Sequence, residues 1–300
     1  MLLLLILADD FTGALDTGVQ FAACGIPTRV VVGEQVDFAA NDAAVLVVDT
    51  ETRHLSAAKA YAVIAKLTRE AMSAGAFNIY KKTDSALRGN IGAELSALLK
   101  TSGERRLPFL PAFPQIDRVT RDGVHYISGV PVTESPFGID PFEPVRHARV
   151  TELIGEQTDV PAYSFPTLKE GEAVPEQEGI LVFDAGSLDD LASTGRALFR
   201  NGRPRLMAGL LLVFIGDSPL RCCMHGFRGK GKAGSNRTLT SRQIYFFGNL
   251  TTVFILILPR SLPPKHNPNR QQYNFNIQQN GPVINILHIQ FHNFIKILNI

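Results

Sequence analysis

The sequence predicts an α/β fold, a mainly parallel sheet with helices on both faces, followed by an irregular or disordered C-terminal tail. Three observations carry this. Apolar runs of strand length alternate with helix-like runs from residue 1 to about 205. Acids recur where the apolar runs stop, at Asp9-Asp10, Asp49 and Asp184. Every Asp and Glu lies at or before Asp217, whereas residues 218–300 hold no acid and ten Lys or Arg. The first part therefore carries 20 basic against 28 acidic residues, a net of −8, and the tail carries +10.

The elements follow in order. Leu2 to Leu7 reads as a strand that stops at Asp9-Asp10. Ala14 to Cys24 reads as a helix, with Leu15, Val19, Ala22 and Ala23 on one face, Thr12 as its expected cap, and Gly25 and Pro27 closing it. Thr28–Val32 and Ala44–Val48 are β-branched-rich strands. Ser56–Ala74 is helical, with Ala60, Val63, Ile64 and Leu67 at helical spacing. Strand Phe77–Tyr80, helix Ile91–Lys100 and strand Leu107–Ala112 come next. Residues 114–144, rich in Pro and Gly, read as loops around a short hairpin at His125–Ile127. Helix Val145–Gly155, strand Ile180–Asp184 and helix Ser187–Arg200 complete the pattern. No internal repeat is present.

In an open α/β sheet, ligands bind outside the carboxyl ends of the strands. The densest such end is Lys81-Lys82-Thr83-Asp84-Ser85-Ala86-Leu87-Arg88-Gly89-Asn90. Lys82 and Arg88 suit a carboxylate or phosphate, and Asp84 suits orientation or deprotonation of a hydroxyl. Ser85 and Gly89 join this candidate site. The bland alternative is an Asp84–Arg88 bridge capping the next helix, and the two readings are compatible. Lys81 alternates with Lys82 along a strand, so Lys82 is the one expected at the site. At the first strand end, Asp9 is expected to bind a hydroxyl and Asp10 to act as general base. Their bland alternative is helix capping. Thr12 and Gly13 are expected to present backbone N–H groups at a helix N-terminus.

Cys24, Cys222 and Cys223 give neither a disulfide framework nor a zinc or redox spacing, so a reduced, cytoplasmic chain is expected. Met1–Leu7 lacks a basic start and is expected to be a buried strand rather than a signal peptide. Thr251–Leu258 is too short to span a bilayer. His54, His125 and His147 lack metal-like spacing and are read as surface or core residues; no metal site is expected, and Asp140 reads as a turn residue.

Several motifs in order resemble the four-carbon acid sugar kinase family. Leu7-Ala8-Asp9-Asp10-Phe11-Thr12-Gly13-Ala14 and Asp16-Thr17-Gly18-Val19-Gln20 resemble its start, and Lys82 to Asn90 its second signature. Pro111-Ala112-Phe113-Pro114 with Arg118, Thr120 and Gly123 resembles its third; Gly129-Val130-Pro131-Val132 and Asp140-Pro141 extend the match. Asp117 stands where many relatives carry glycine. The resemblance implies ATP- and Mg2+-dependent phosphorylation of a hydroxyl on a threonate, erythronate or 3-oxo-tetronate. It adds Arg118 and Thr120 as candidate substrate contacts. It also implies an N-terminal sugar-acid domain and a C-terminal nucleotide domain with glycine-rich loops.

The resemblance covers residues 1 to about 207. Residues 208–300 read instead as an aberrant basic tail in place of the nucleotide domain, with no assignable nucleotide-binding residues. Their Asn, Lys, Ile, Phe and Tyr are what A/T-rich codons encode, and the stretch reads as translation out of the original frame or into non-coding sequence. Gly226-Phe227-Arg228-Gly229-Lys230-Gly231-Lys232-Ala233 approaches a phosphate loop, but Ala233 replaces the hydroxyl that would hold magnesium. The expectation is thus a sugar-acid domain with impaired kinase activity; the alternative is a non-catalytic sugar-acid binder or pseudoenzyme. The expected partner is a small sugar acid rather than nucleic acid or membrane, with homo-oligomers left open. A nucleic-acid arm ranks last, because the tail lacks aromatic–basic interleaving.

Overall fold

The computed structural model describes residues 2–23, 25–201 and 204–210, together with the strands Gln243–Phe247 and Phe254–Leu258. The chain divides into two compact units, residues 1–231 and 232–300. In the second unit the two strands pair antiparallel. The rest of the expected irregular tail, with Cys222-Cys223 and the Gly226–Ala233 stretch, lies outside the described residues.

The first unit begins β1 (Leu4–Ala8), α1 (Phe11–Ala23), β2 (Thr28–Val32), β3 (Val45–Asp49), α2 (Ala57–Ser73), β4 (Ile79–Lys82) and α3 (Ile91–Ser102). It continues with β5 (Arg106–Leu110), a small antiparallel meander of β6 (Arg118–Arg121), β7 (Val124–Ile127) and β8 (Val130–Pro131), then α4 (Val150–Gly155). It ends with β9 (Ala162–Phe165), β10 (Gly179–Phe183), α5 (Leu188–Arg200) and β11 (Leu206–Gly209). Eight strands form one sheet in the order β2-β3-β1-β4-β11-β5-β10-β9, and every pairing is parallel.

The alternation of side chains along each strand builds two cores. Leu5, Leu7, Leu46 and Ile79 bury one face under Ile64 and Leu67 of α2 and Ile91, Leu95 and Leu98 of α3. Leu4, Ile6, Val45, Val47 and Tyr80 bury the other under Ala14 and Phe21 of α1 and Leu191 and Leu198 of α5. Each fully buried aliphatic of this size contributes about 1.5–3 kcal/mol. The expected helices on both faces are therefore present. β1 exits toward α1 on one face, while its neighbours β3 and β4 exit toward α2 and α3 on the other. That divergence opens a crevice at the carboxyl ends of β3, β1 and β4.

Several local expectations change. Asp10, rather than Thr12, caps α1: Gly13 N donates to Asp10 Oδ1 at 2.9 Å, and the helix already includes Thr12. The strand expected at Phe77–Tyr80 runs over Ile79–Lys82 instead; exposed Phe77 stacks under the Arg205 guanidinium, 4.4 Å from the ring centre. The helix expected from Val145 begins only at Val150, because residues 145–149 bond outward, Val145 N to Phe137 O and Ala148 O from His125 N. The expected loops at 114–144 contain the meander. It is fastened to the main sheet by Asp184, whose carboxylate accepts from Asp122 N at 2.8 Å and Gly123 N at 3.0 Å. The short strands β9 and β11 were not predicted. β11 fills the sheet between β4 and β5 and runs to Gly209, past the boundary expected at 207. No helix among the described residues is long and apolar enough to cross a membrane.

Candidate functional site

Three strand ends meet around one arginine. β1 is followed by Asp9, which is 2% exposed, and then by Asp10, the cap of α1. β3 leads through Thr50 and Thr52, whose hydroxyls lie 2.7 Å apart, to Arg53. Arg53 Nε donates to Asp9 Oδ2 at 2.7 Å and Nη1 to Asp10 Oδ2 at 2.7 Å, while Nη2 lies 3.6 Å from Asp84 Oδ1. The sequence reading missed Arg53. The one available signal was its place just beyond the acid that ends β3.

The turn after β4 is held by its own acid. Asp84 Oδ2 accepts from Arg88 Nε at 2.8 Å and Arg88 N at 3.2 Å, and Oδ1 accepts from Arg88 Nη2 at 3.0 Å. Burial pushes the Asp84 carboxyl up, but the Arg88 hydrogen bonds and the Arg53 and Arg88 charges outweigh it, holding it well below the usual range. Both readings of the Asp84–Arg88 pair thus meet in one geometry: the bridge closes the turn and orients Arg88. Leu87 and Gly89 take positive φ, 63° and 83°. A Cβ at Gly89 would also lie 3.0 Å from Arg53 Cγ, so glycine is required twice over. Asn90 Nδ2 donates to Thr52 O at 2.9 Å and Leu55 O at 2.8 Å, tying this turn to the loop that carries Arg53.

The two lysines separate as strand alternation requires. Lys81 is fully buried, with Nζ 2.9 Å from Glu94 Oε2 on α3. Lys82 faces α1, its Nζ donating to Thr83 O at 2.8 Å. Burial pushes its ammonium pKa down, while Asp9, Asp84 and Asp10 pull it back up. Lys82 forms no ion pair within 4 Å among the described residues. Gly13 lets α1 approach: a Cβ there would stand 2.7 Å from Asp10 Oδ1 and 3.3 Å from Lys82 Nζ. Thr12 is exposed on the first turn of α1.

The meander closes the far side. Arg118 donates from Nη1 to Ser85 Oγ and, like Lys82, forms no ion pair among the described residues. Phe137 packs against both Arg88 and Arg118, 5.1 and 4.9 Å from its ring centre. Thr120 is turned inward, Oγ1 3.0 Å from His125 Nδ1, and His125 Nε2 lies 3.0 Å from Ser85 O. Thr120 therefore reaches the turn through His125. Burial pushes His125 down to about 4, so it stands neutral there. The sequence reading took His125 as surface or core and did not single out Asn90 or Phe137. Asp140, read as a turn residue, accepts from Phe142 N and Glu143 N.

Among the described residues the crevice thus offers two cations that form no ion pair, beside acids and two buried polar atoms without hydrogen-bond partners, Asp9 Oδ1 and Thr83 Oγ1. Such a set of groups has the chemistry to suit a small hydroxylated anion. Residues 4–211 match the family described as the sugar-binding N-terminal domain. The chain is 34% identical over 216 residues to a D-threonate kinase of Salmonella typhimurium, covering 69% of this chain and 51% of that one. The chain belongs to the four-carbon acid sugar kinase family. It is also 30% identical over 230 residues to a 3-oxo-tetronate kinase of Methylobacterium radiotolerans, covering 70% of this chain and 54% of the other. Among solved structures, a Bordetella bronchiseptica protein crystallised as a domain-swapped dimer with bound citrate superposes with a TM-score of 0.63. It is 32% identical, with 75% of this chain and 57% of that one covered. The chain spans about half the length of the curated relatives it matches.

Mg-ATP is implied by this family; among the described residues no group of three His, Cys, Asp or Glu could hold a metal ion.

Proposed function

We propose that this chain is the sugar-acid-binding part of a four-carbon acid sugar kinase, taking acids of the threonate and 3-oxo-tetronate class. One observation carries this reading: among the described residues Lys82 and Arg118 form no ion pair, while the neighbouring Arg53 and Arg88 are paired. A substrate carboxylate supplies the missing anion, with Arg118 binding it through its planar fork. The hydroxyls then meet Asp10, whose side chain is 27% exposed, in front of the buried Asp9 and Thr83. Asp10 is the carboxylate that orients the attacking hydroxyl and accepts its proton. Both acids hold internal partners, Asp10 through Gly13 N and Arg53, and Asp84 through Arg88. Asp10 is 27% exposed against 8% for Asp84, which therefore works as a fixed negative charge that aims Arg88 and balances Arg53. Ser85 and Thr120 act through Arg118 and His125; the Gly13 N–H is already spent on Asp10 Oδ1, so an N–H contact to an incoming anion at this helix end falls to Thr12.

Phosphoryl transfer depends largely on positioning and charge stabilisation, with Mg-ATP supplying the phosphoryl group when bound. We assign the nucleotide site to the half of the full-length relatives that this chain does not span. The chain alone is then a sugar-acid binder with little turnover, which joins the kinase reading to that of a non-catalytic binding domain. Calorimetry with D-threonate, D-erythronate and 3-oxo-tetronate, each with and without Mg-ATP, tests this. Saturable sugar-acid binding, unaffected by nucleotide, is the expected result. Mg-ATP binding with no response to any of the three acids would overturn it.

A further inference from the structure

We infer that Arg53 is a positioning residue that sets the spacing between the acids of β1 and those of the β4–α3 turn. This deepens the sugar-acid reading and rests on it for the identity of the ligand. The guanidinium is buried, its side chain 9% exposed, and reaches three carboxylates that come from two separate strand ends. Few other side chains could do this. A bidentate fork holds two acids 2.7 Å away on different nitrogens, where a lysine ammonium offers one point of charge.

The arginine is itself held from both sides. Arg53 N donates to Asp9 O at 3.3 Å, which fixes its backbone to β1. Asn90 Nδ2 donates to Thr52 O, Arg53 O and Leu55 O at 2.9, 3.3 and 2.8 Å, which fixes it to α3. Gly89, whose missing Cβ would stand 3.1 Å from Arg53 O, lets the turn lie against it. The first and second sequence signatures are thereby joined by a residue in neither. Asp10, the proposed base, follows β1, and Lys82, the proposed anion receptor, ends β4, so this joint sets the distance between the two strand ends that carry them. Moving one by an ångström relative to the other costs about 100-fold in a reaction that depends on alignment.

Arg53 also sets the charge around Lys82. The groups acting on that ammonium are Asp9 and Asp10 at the end of β1, Asp84 in the turn, Arg53 itself, and Asp16 on α1, whose own carboxyl feels Lys82. Removing the Arg53 charge while leaving the acids raises the Lys82 titration midpoint.

The experiment compares wild type, Arg53→Lys and Arg53→Met in the full chain, with circular dichroism to verify folding. D-threonate affinity is read by calorimetry and the Lys82 midpoint by NMR of its Cε resonance. Arg53→Lys is expected to weaken D-threonate about 10- to 100-fold with the Lys82 midpoint little moved. Arg53→Met is expected to abolish binding and move that midpoint upward. Wild-type affinity in folded Arg53→Lys would overturn the inference, as would an unmoved Lys82 midpoint in folded Arg53→Met. If wild type itself binds none of the acids, the sugar-acid reading fails, and the Lys82 midpoint still decides the role of Arg53. If Arg53→Met does not fold, Arg53→Lys carries the decision alone.

Discussion

Lys81 and Lys82 follow one another on β4 and are both buried, yet they face opposite sides of the sheet. Lys81 enters the core between β4 and α3 and meets Glu94 at 2.9 Å. Lys82 enters the crevice beside α1, where three acids surround it and none comes within ion-pair distance. The difference teaches how to divide buried charge into structure and function. A charge with its counter-ion in place is finished, and its removal reads out as lost stability. A charge whose counter-ion is missing is held for a ligand, and its removal reads out as lost affinity.

The most forceful way to break this comparison is at Lys81. Lys81→Met leaves Glu94 buried without its cation, and breaking one side of such a pair costs about 3–5 kcal/mol. Urea unfolding should show that loss, and Lys81→Met with Glu94→Leu should recover most of it. An unchanged midpoint in Lys81→Met would show that the pair contributes nothing and that burial alone does not separate the two lysines.

His125 sharpens the comparison through pH. It bonds Ser85 O in the turn that follows Lys82, and burial holds its pKa at about 4 against an ordinary 6.5. Between those values the unfolded chain binds the proton that the folded chain refuses, so stability falls as pH drops from about 6.5 to about 4. The full effect is on the order of 3 kcal/mol. Asp49 works in the opposite direction, because burial raises its carboxyl from 3.8 to about 6 and the folded chain gains a proton first. The His125 contribution is therefore the difference between wild type and His125→Gln across this window. Identical slopes in urea titrations of the two proteins would remove His125 from the account.

At Lys82 the comparison predicts the reverse pattern from Lys81. Lys82→Met should fold and lose less stability than Lys81→Met, because no single acid is left bereft of a 2.9 Å partner. D-threonate affinity should fall about 10- to 100-fold, which is about 1.4–2.7 kcal/mol. A variant that binds normally but unfolds early would place Lys82 on the structural side with Lys81.

The sequence carried much of this division. Strand period alone put Lys81 and Lys82 on opposite faces, even though β4 lies two residues later than the apolar run suggested. Long runs such as Leu4–Ala8 and Gly179–Phe183 announce themselves because every position is buried. β11 does not, since four residues set between β4 and β5 take their place in the sheet from tertiary pairing rather than from any local pattern. Acids at strand ends pointed to Asp9, Asp10 and Asp84. Arg53 escaped because an arginine in a short polar loop is ordinary until the fold brings three distant acids to it. The Thr120–His125–Ser85 chain escaped for the same reason: His125 looks like any isolated histidine, and its partner carbonyl lies 40 residues away.

Phe137 tests the comparison at its weakest point, the half-buried cations at the rim. Arg88 has Asp84 as counter-ion and Arg118 has none, yet both lie against this one ring, 5.1 and 4.9 Å from its centre. An aromatic face attracts a cation by about 0.5–1 kcal/mol at exposed sites. Phe137→Leu keeps apolar bulk and removes that attraction. Arg88 remains fixed by its bonds to Asp84, whereas Arg118 loses one of its few restraints. D-threonate affinity should fall about 2- to 5-fold, with stability nearly unchanged. In Phe137→Leu combined with Arg118→Met, the loss should be no greater than in Arg118→Met alone, because the ring acts through Arg118. Additive losses would instead place the ring in direct contact with the ligand, and the unpaired cation at the rim would need no aromatic support.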